Sequence, residues 1–187
     1  MKSILAGIFI GIGCCLYLSI SDKLIGALCF SLGLLGIRIL KLDLFTGKTQ
    51  YFLRKDSPYK PLDIFYIFAL NILGICLIEM FACFSTTIRI AAIELGEVKN
   101  NIPLFTLLFN SILCGVLMTI ATYKETPLWI SSLAVIAFIT AGFNHSIADA
   151  FYLNALGHII PRLKVLLIAA GNLIGGRLAV IGLDRRE

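Results

Sequence analysis

Gly142-Phe143-Asn144-His145-Ser146 interrupts an apolar run that extends from about residue 127 to residue 153. A helix needs about 20 apolar residues to cross the hydrocarbon core of a bilayer, so the run is long enough to span. Irregular backbone at membrane depth is tolerated only where it is buried in protein or lines a water-filled cavity. The sequence therefore predicts a broken transmembrane helix, with His145 inside the protein or beside such a cavity. An ionisable residue in a membrane span is functional by default.

A second interruption occurs in the first half of the chain. The run over residues 24–45 is apolar as far as Leu42 and then gives Asp43-Leu44-Phe45-Thr46-Gly47-Lys48. Corresponding breaks in two halves of a membrane protein are the best sequence indication of a binding site. The Thr46 hydroxyl could hydrogen-bond His145 or a passing oxyanion. The alternative reading is that Thr46 only caps a helix break.

The amino-acid composition of the whole chain is that of a membrane protein. The chain has 187 residues, of which 59% are hydrophobic, and its mean hydropathy is +0.95, well above the values of soluble domains. We predict an all-α membrane protein in which six apolar runs cross the bilayer, with no space for a soluble enzyme domain. Met1 to Ile20 is expected to be the first crossing rather than a cleaved signal, because no cleavage site precedes Lys23. The runs are residues 4–20, 24–45, 62–84, 103–123, 127–153 and 162–183.

Two short motifs recur in register when the chain is divided at about residue 90. Each half then contains three runs, and an odd number of crossings requires the two halves to insert with opposite topology. The sequence therefore predicts two inverted three-helix repeats, about residues 1–90 and 91–187. The paired motifs are Ile4-Leu5-Ala6-Gly7 with Ile112-Leu113-Cys114-Gly115, and Asn71-Ile72-Leu73-Gly74 with Asn172-Leu173-Ile174-Gly175.

The distribution of basic residues predicts orientation in a cell (inner or plasma) membrane. Cytoplasmic loops carry the excess of Lys and Arg. With both termini cytoplasmic, the inner side holds Lys2, Lys48, Arg54, Lys55, Lys60, Lys124, Arg185 and Arg186, against Lys23, Arg89, Lys99, Arg162 and Lys164 outside. No basic cluster with interleaved aromatics stands outside the runs, so no nucleic-acid partner is predicted. The six cysteines lie inside apolar runs without metal-ligand spacing, and we predict no metal and no cofactor.

The ordered motifs resemble those of the formate/nitrite transporter family, and the resemblance covers nearly the whole chain. It implies a homopentamer of aquaporin-like protomers with one pore each, and bacterial members of the family move formate, nitrite or hydrosulfide. The motifs are Cys29-Phe30-Ser31-Leu32-Gly33-Leu34, Asp43-Leu44-Phe45-Thr46-Gly47, Ile112-Leu113-Cys114-Gly115, Ala141-Gly142-Phe143-Asn144-His145-Ser146-Ile147-Ala148 and Gly171-Asn172-Leu173-Ile174-Gly175-Gly176.

The resemblance also implies roles for individual residues. His145 corresponds to the central pore histidine, with Asn144 beside it in the same break, and Thr46 corresponds to the loop threonine next to that histidine. Lys99 matches a lysine that makes the pore mouth electropositive; without the resemblance it would be read as an ordinary loop cation. Apolar pore constrictions are implied at Phe30, Leu34, Leu44, Phe45 and Phe138.

Several residues depart from the family pattern. Gly115 stands where many members carry asparagine, so a polar group is expected to be missing from the path. The N-terminal amphipathic helix with which formate channels gate is not expected here. Arg38 and Lys41 have no counterpart in the pattern. Charges at membrane depth must pair or reach water, so they are expected to pair with Asp43 or Glu79, to make a subunit contact, or to form a second anion-attracting site.

Asp149 lies four residues after His145 and would be one helical turn away from it, facing either the histidine, solvent or another helix. The prediction for the whole chain, residues 1–187, is a single channel domain. It would pass a small monovalent anion, or its conjugate acid, in a proton-coupled manner. The alternatives are a pore for neutral solutes such as water, glycerol or urea, a membrane enzyme using His145 with Asp149, and an assembly protein. No catalytic motif is present, so we predict no enzyme.

Overall fold

The computed structural model describes residues 1–181. Over these residues the chain forms nine α-helices and no strand. A single turn of 3₁₀ helix follows α3 at Thr49–Tyr51. The helices are α1 (Lys2–Leu18), α2 (Lys23–Ile39), α3 (Phe45–Lys48), α4 (Pro61–Ala82), α5 (Thr86–Asn100), α6 (Leu104–Thr122), α7 (Leu128–Thr140), α8 (Ser146–Asn154) and α9 (Ile159–Ile181). The predicted end of the last run at residue 183, and Arg185 and Arg186, lie outside the described residues.

The helices have the length and composition of a membrane protein. Helices α4, α6 and α9 are long and apolar enough to cross a bilayer, and α1 and α7 are shorter apolar helices. Large apolar side chains stand exposed along their outer faces, among them Phe105 at 83% and Trp129 at 64%. Contiguous apolar surface of this kind is expected against lipid and not against water. The prediction of an all-helical membrane protein is confirmed.

Both predicted helix breaks are present. Helix α2 ends at Ile39 and α3 begins at Phe45, while α7 ends at Thr140 and α8 begins at Ser146. A glycine at positive φ, Gly142 with φ of 73°, makes the turn after α7. Lys41 makes the corresponding turn after α2 with φ of 51°, although it has a side chain.

Two asparagines hold the broken segments to the neighbouring helices. In α4, the Asn71 amide oxygen accepts from the Phe45 backbone N–H (2.7 Å), and its nitrogen donates to the Ser3 (2.7 Å) and Asp43 (3.0 Å) carbonyls. In α9, Asn172 accepts from the Ser146 N–H and donates to the Ser111 and Asn144 carbonyls, all at 2.8 Å. Each amide thus satisfies two backbone groups at a break and ties the break to the carbonyl of a neighbouring helix, Ser3 in α1 or Ser111 in α6.

The repeated glycines lie at equivalent helix contacts. A Cβ on Gly7 would stand 2.0 Å from the Asn71 carbonyl oxygen, and one on Gly115 would stand 2.3 Å from that of Asn172. Gly74 and Gly175 make the reverse contacts, against the carbonyls of Ile4 and Ile112. Glycine lets helix backbones approach closely in membranes. The motifs that recur in the sequence are therefore the contacts between α1 and α4 and between α6 and α9.

Helix α5 was not predicted from the sequence, which places no apolar run between residues 84 and 103. It has an amphipathic pattern in which Glu94 and Glu97 are exposed while Ala92, Gly96 and Lys99 are buried. Such a helix is too polar for a search based on hydropathy. It packs against α8, since a Cβ on Gly96 would be 2.4 Å from the Tyr152 carbonyl oxygen. This contact brings Lys99 toward the break that contains His145.

Candidate functional site

The two helix breaks meet at a hydrogen bond between His145 and Thr46. His145 precedes α8, and its Nδ1 accepts the Ala148 backbone N–H at 3.1 Å. Its Nε2 lies 2.8 Å from the Thr46 Oγ1. Because Nδ1 is an acceptor, we assign the ring proton to Nε2, from which it is donated to Thr46. His145 is 1% exposed and Thr46 is fully buried.

The start of α8 fixes the position of His145. The histidine is the N-cap of α8, and its side chain satisfies one of the backbone donors that a helix start leaves free. The positive end of the α8 dipole points to the same spot, which favours negative charge or an acceptor there. The ring of Phe138 stacks on the imidazole with centroids 5.4 Å apart, and Phe30 meets Phe138 edge-on at 6.3 Å.

Apolar side chains surround this pair. Phe30, Leu34, Leu44, Phe45 and Phe138 are each exposed by 2% or less. Two cavities flank the pair: Phe138 borders the one on the His145 side, and Leu44 borders the one on the Thr46 side. Phe30, Leu34 and Phe45 belong to the same apolar core without lining either cavity. Thr46 and His145 are thus two hydrogen-bonding side chains inside an apolar, buried segment, which we call the dry centre.

Two separate cavities approach this centre from opposite ends of α2. The cavity on the His145 side has a volume of about 60 Å³ and includes Tyr17, Lys99, Phe143, Asp149 and Tyr152 in its lining; we call it the Lys99 cavity. It lies near the start of α2, where Tyr17 faces Gly26. The other, of about 160 Å³, lies at the end of α2 and is called the Arg38 cavity. Its lining is Ile37, Arg38, Lys41, Leu42, Leu44, Gly47, Lys48, Tyr51 and Thr122.

Lys99 lines the Lys99 cavity, where Asp149 balances its charge. Its Nζ is 2.9 Å from the Asp149 Oδ1, and it also donates to the Phe143 carbonyl at 3.5 Å. The second carboxylate oxygen of Asp149 accepts from the Asn144 amide at 2.7 Å. Lys99 is 8% exposed and Asp149 is 1% exposed. The pair is buried and has no net charge.

The sequence of residues 1–184 matches the model of a family described as formate/nitrite transporter. The chain belongs to the formate/nitrite transporter family. Two solved structures share its fold: a pentameric formate channel with formate bound, at TM-score 0.79 over 100% of this chain and 94% of that one, and an ion channel of the family, at 0.82 over 100% and 88%. Each is 21% identical to this chain. A search of curated proteins gives no match.

Gly115, where many formate/nitrite transporters carry asparagine, lies away from both cavities. It packs against the α9 backbone, where any Cβ would overlap the Asn172 carbonyl. Gly115 therefore serves helix packing in this structure, and the expectation that a polar group is missing from the path stays a prediction. Asn144 also lines neither cavity. Its side-chain nitrogen donates to Asp149, and its backbone carbonyl accepts from Asn172.

Arg38 does not pair with either of its predicted partners. Its guanidinium donates to the carbonyls of Thr126 (2.7 Å) and Tyr123 (3.2 Å) and to the Ser131 hydroxyl, all around the α6–α7 turn. Carbonyls at a helix end need such donors. Asp43 pairs instead with Lys48 at 3.2 Å, and Glu79 accepts from the Asn154 amide at 3.2 Å. Within residues 1–181 no group of three metal-ligating side chains is placed to hold an ion.

Proposed function

We propose that the chain forms a channel or transporter for a small monovalent anion of the formate, nitrite or hydrosulfide class, crossing as its conjugate acid. The observation that carries the proposal is the buried contact between Thr46 and His145, with a separate cavity on each side of it. This is the arrangement that a single-file path with one narrow centre requires. Membership of the family supports anion transport.

The architecture that we infer has six crossings in one domain. They are α1, α2 with α3, α4, α6, α7 with α8, and α9, arranged as two inverted three-helix repeats with both chain ends cytoplasmic in a cell membrane. The matched hydrogen bonds of Asn71 and Asn172 support the repeat, because each asparagine fixes one broken segment with the same three kinds of bond. The protomer is then aquaporin-like.

The dry centre makes the neutral acid the species that crosses. Burying an ion without a partner costs many times more than burying a hydrogen-bonded neutral molecule. The Lys99–Asp149 pair provides no net charge to offset that cost. His145 supplies a hydrogen bond from Nε2, and the Thr46 hydroxyl can donate or accept. The acid can therefore exchange its water contacts for these two side chains.

The proton comes from solution and not from His145. A second proton on the ring would have to occupy Nδ1, which accepts the Ala148 N–H at the start of α8. Protonation there would break the cap and place a cation at the positive end of the helix dipole. The histidine accordingly acts as a fixed neutral donor. Proton coupling follows because the acid carries its own proton across.

Flux into proteoliposomes tests the function. Vesicles containing the protein should take up formate, nitrite or hydrosulfide well above the leak of protein-free vesicles, and should pass glycerol poorly. His145→Phe removes the donor while keeping a planar ring, so its anion flux should fall to the leak without loss of assembly. If glycerol enters as fast as the anions, the protein is a neutral-solute pore. If no solute enters, transport itself is refuted.

We expect the assembly to be a homopentamer with a path inside each protomer. One solved relative in fold is a pentameric formate channel. Native mass measurement in detergent should give a species about five times the chain mass of 20.5 kDa. A preparation that contains only monomers or dimers under mild detergent conditions would contradict this expectation.

A further inference from the structure

The Arg38 cavity carries a net positive charge, unlike the Lys99 cavity. Three cations line it, namely Arg38, Lys41 and Lys48. Among the described residues, the carboxylate that pairs with any of them is that of Asp43, 3.2 Å from Lys48. Asp43 is further occupied by the Tyr59 hydroxyl at 3.3 Å. The charge at this mouth is therefore about two units more positive than at the mouth where Asp149 neutralises Lys99.

Arg38 supplies a fixed part of this charge. Its partners are two carbonyls and a hydroxyl, all neutral, so its positive charge is held in place without being cancelled. The turn that it binds contains Lys124 and Glu125, whose opposite charges leave no net contribution. A cation that is anchored at the end of α2 projects a constant positive field into the cavity.

Lys41 supplies the accessible part. It adopts φ of 51°, a conformation that is unfavourable for a residue with a side chain. The turn returns the chain from the end of α2 toward the centre of the protein. The backbone N–H of Lys41 donates to the Arg38 carbonyl at 3.2 Å. Lys41 is exposed, lines the cavity, and has no ion-pair partner within residues 1–181.

The same cavity adjoins the dry centre, because its lining includes Leu44 and Gly47 on either side of Thr46. Leu44 is in its lining, and Thr46 follows two residues later. A water occupies about 30 Å³, so a cavity of about 160 Å³ holds a small anion together with some of its water. A bound anion would therefore be concentrated there while still partly hydrated, next to the apolar residue at which its dehydration begins.

We infer that the Arg38 cavity is the capture site of the transported anion, a small monovalent oxyanion or hydrosulfide. Lys41 and Lys48 contact the ion in this site, and Arg38 acts as the fixed charge behind them. The inference rests on the proposed function and assigns recruitment to this mouth instead of to Lys99. Lys41 is then a binding residue whose removal weakens capture without closing the path.

Formate flux into proteoliposomes, measured against formate concentration at low and high salt, tests the inference. Lys41→Gln should raise the half-saturating concentration about three- to tenfold at low salt, as expected for the loss of one charge at contact distance in a partly aqueous site. The maximal flux should be unchanged. The difference should shrink at 1 M salt, where the screening length is about 3 Å. Lys41→Arg should behave as the unmodified protein.

Lys55→Gln is the matched control, because Lys55 is an exposed cation in the loop that precedes α4 and does not line the cavity. Equal effects of Lys55→Gln and Lys41→Gln would overturn the inference, since they would indicate a diffuse surface field. Unchanged half-saturation in Lys41→Gln would also overturn it. Both of these outcomes presuppose flux through the unmodified protein. Absence of that flux would instead refute the proposed function.

Discussion

Lys99→Met is expected to lower the free energy of unfolding by about 3–5 kcal/mol and to abolish most anion flux. The substitution leaves the Asp149 carboxylate buried with the Asn144 amide as its remaining side-chain partner. An uncompensated carboxylate beside His145 also repels any anion that approaches from the Lys99 cavity. Thermal unfolding in detergent, together with formate flux, measures both effects.

The double variant Lys99→Met with Asp149→Asn separates charge balance from anion attraction. It removes both charges and keeps the hydrogen-bonding capacity of residue 149, so it should be more stable and conduct better than Lys99→Met alone. Coupling of this kind is what a double-mutant cycle detects for residues in contact. Glu97→Gln, on the exposed face of α5, serves as the control. Additive losses in the double variant would show that Lys99 and Asp149 act independently.

The sequence was sufficient for the features that depend on local pattern. Both breaks were predicted because polar residues and glycine interrupt long apolar runs, and they occur at the predicted places. The repeated motifs proved to be matched helix contacts. Close backbone approach requires the glycines, and the asparagines hydrogen-bond backbone carbonyls of the neighbouring helices. Gly115 was singled out by the resemblance, and the structure adds that this position packs against the Asn172 backbone, which no sequence pattern had indicated.

The remaining features depend on contacts between distant residues. The pairing of Asp149 with Lys99 was not predicted, because Lys99 reaches it only through the packing of α5 on α8, and α5 itself is too polar to be found by hydropathy. For Arg38 the sequence left a carboxylate partner, a subunit contact and an anion site open, and in the structure carbonyls at a helix end bind its guanidinium. No sequence pattern marks which backbone acceptors will be free. The unequal charge of the two cavities follows from these two pairings.

If the neutral acid is the species that crosses, uptake at a fixed total anion concentration should rise about tenfold for each unit by which external pH falls. This holds while the pH stays above the pKa of the transported acid, because the protonated fraction then grows tenfold per unit, equivalent to about 1.4 kcal/mol. The membrane potential should have little effect. An ion would instead experience about 2.3 kcal/mol per 100 mV for each net charge moved, and would carry a current.

Paired records of flux and current at two pH values, in the same proteoliposomes, distinguish these cases. Large currents that follow voltage and ignore pH would refute the neutral-acid mechanism and leave anion transport standing. His145→Asn identifies the source of the proton, since its amide keeps a donor near Thr46 but has no titratable group. We expect lower flux in this variant with the same slope against pH. Loss of the slope would show that His145 supplies the proton, contrary to the capping bond from Ala148.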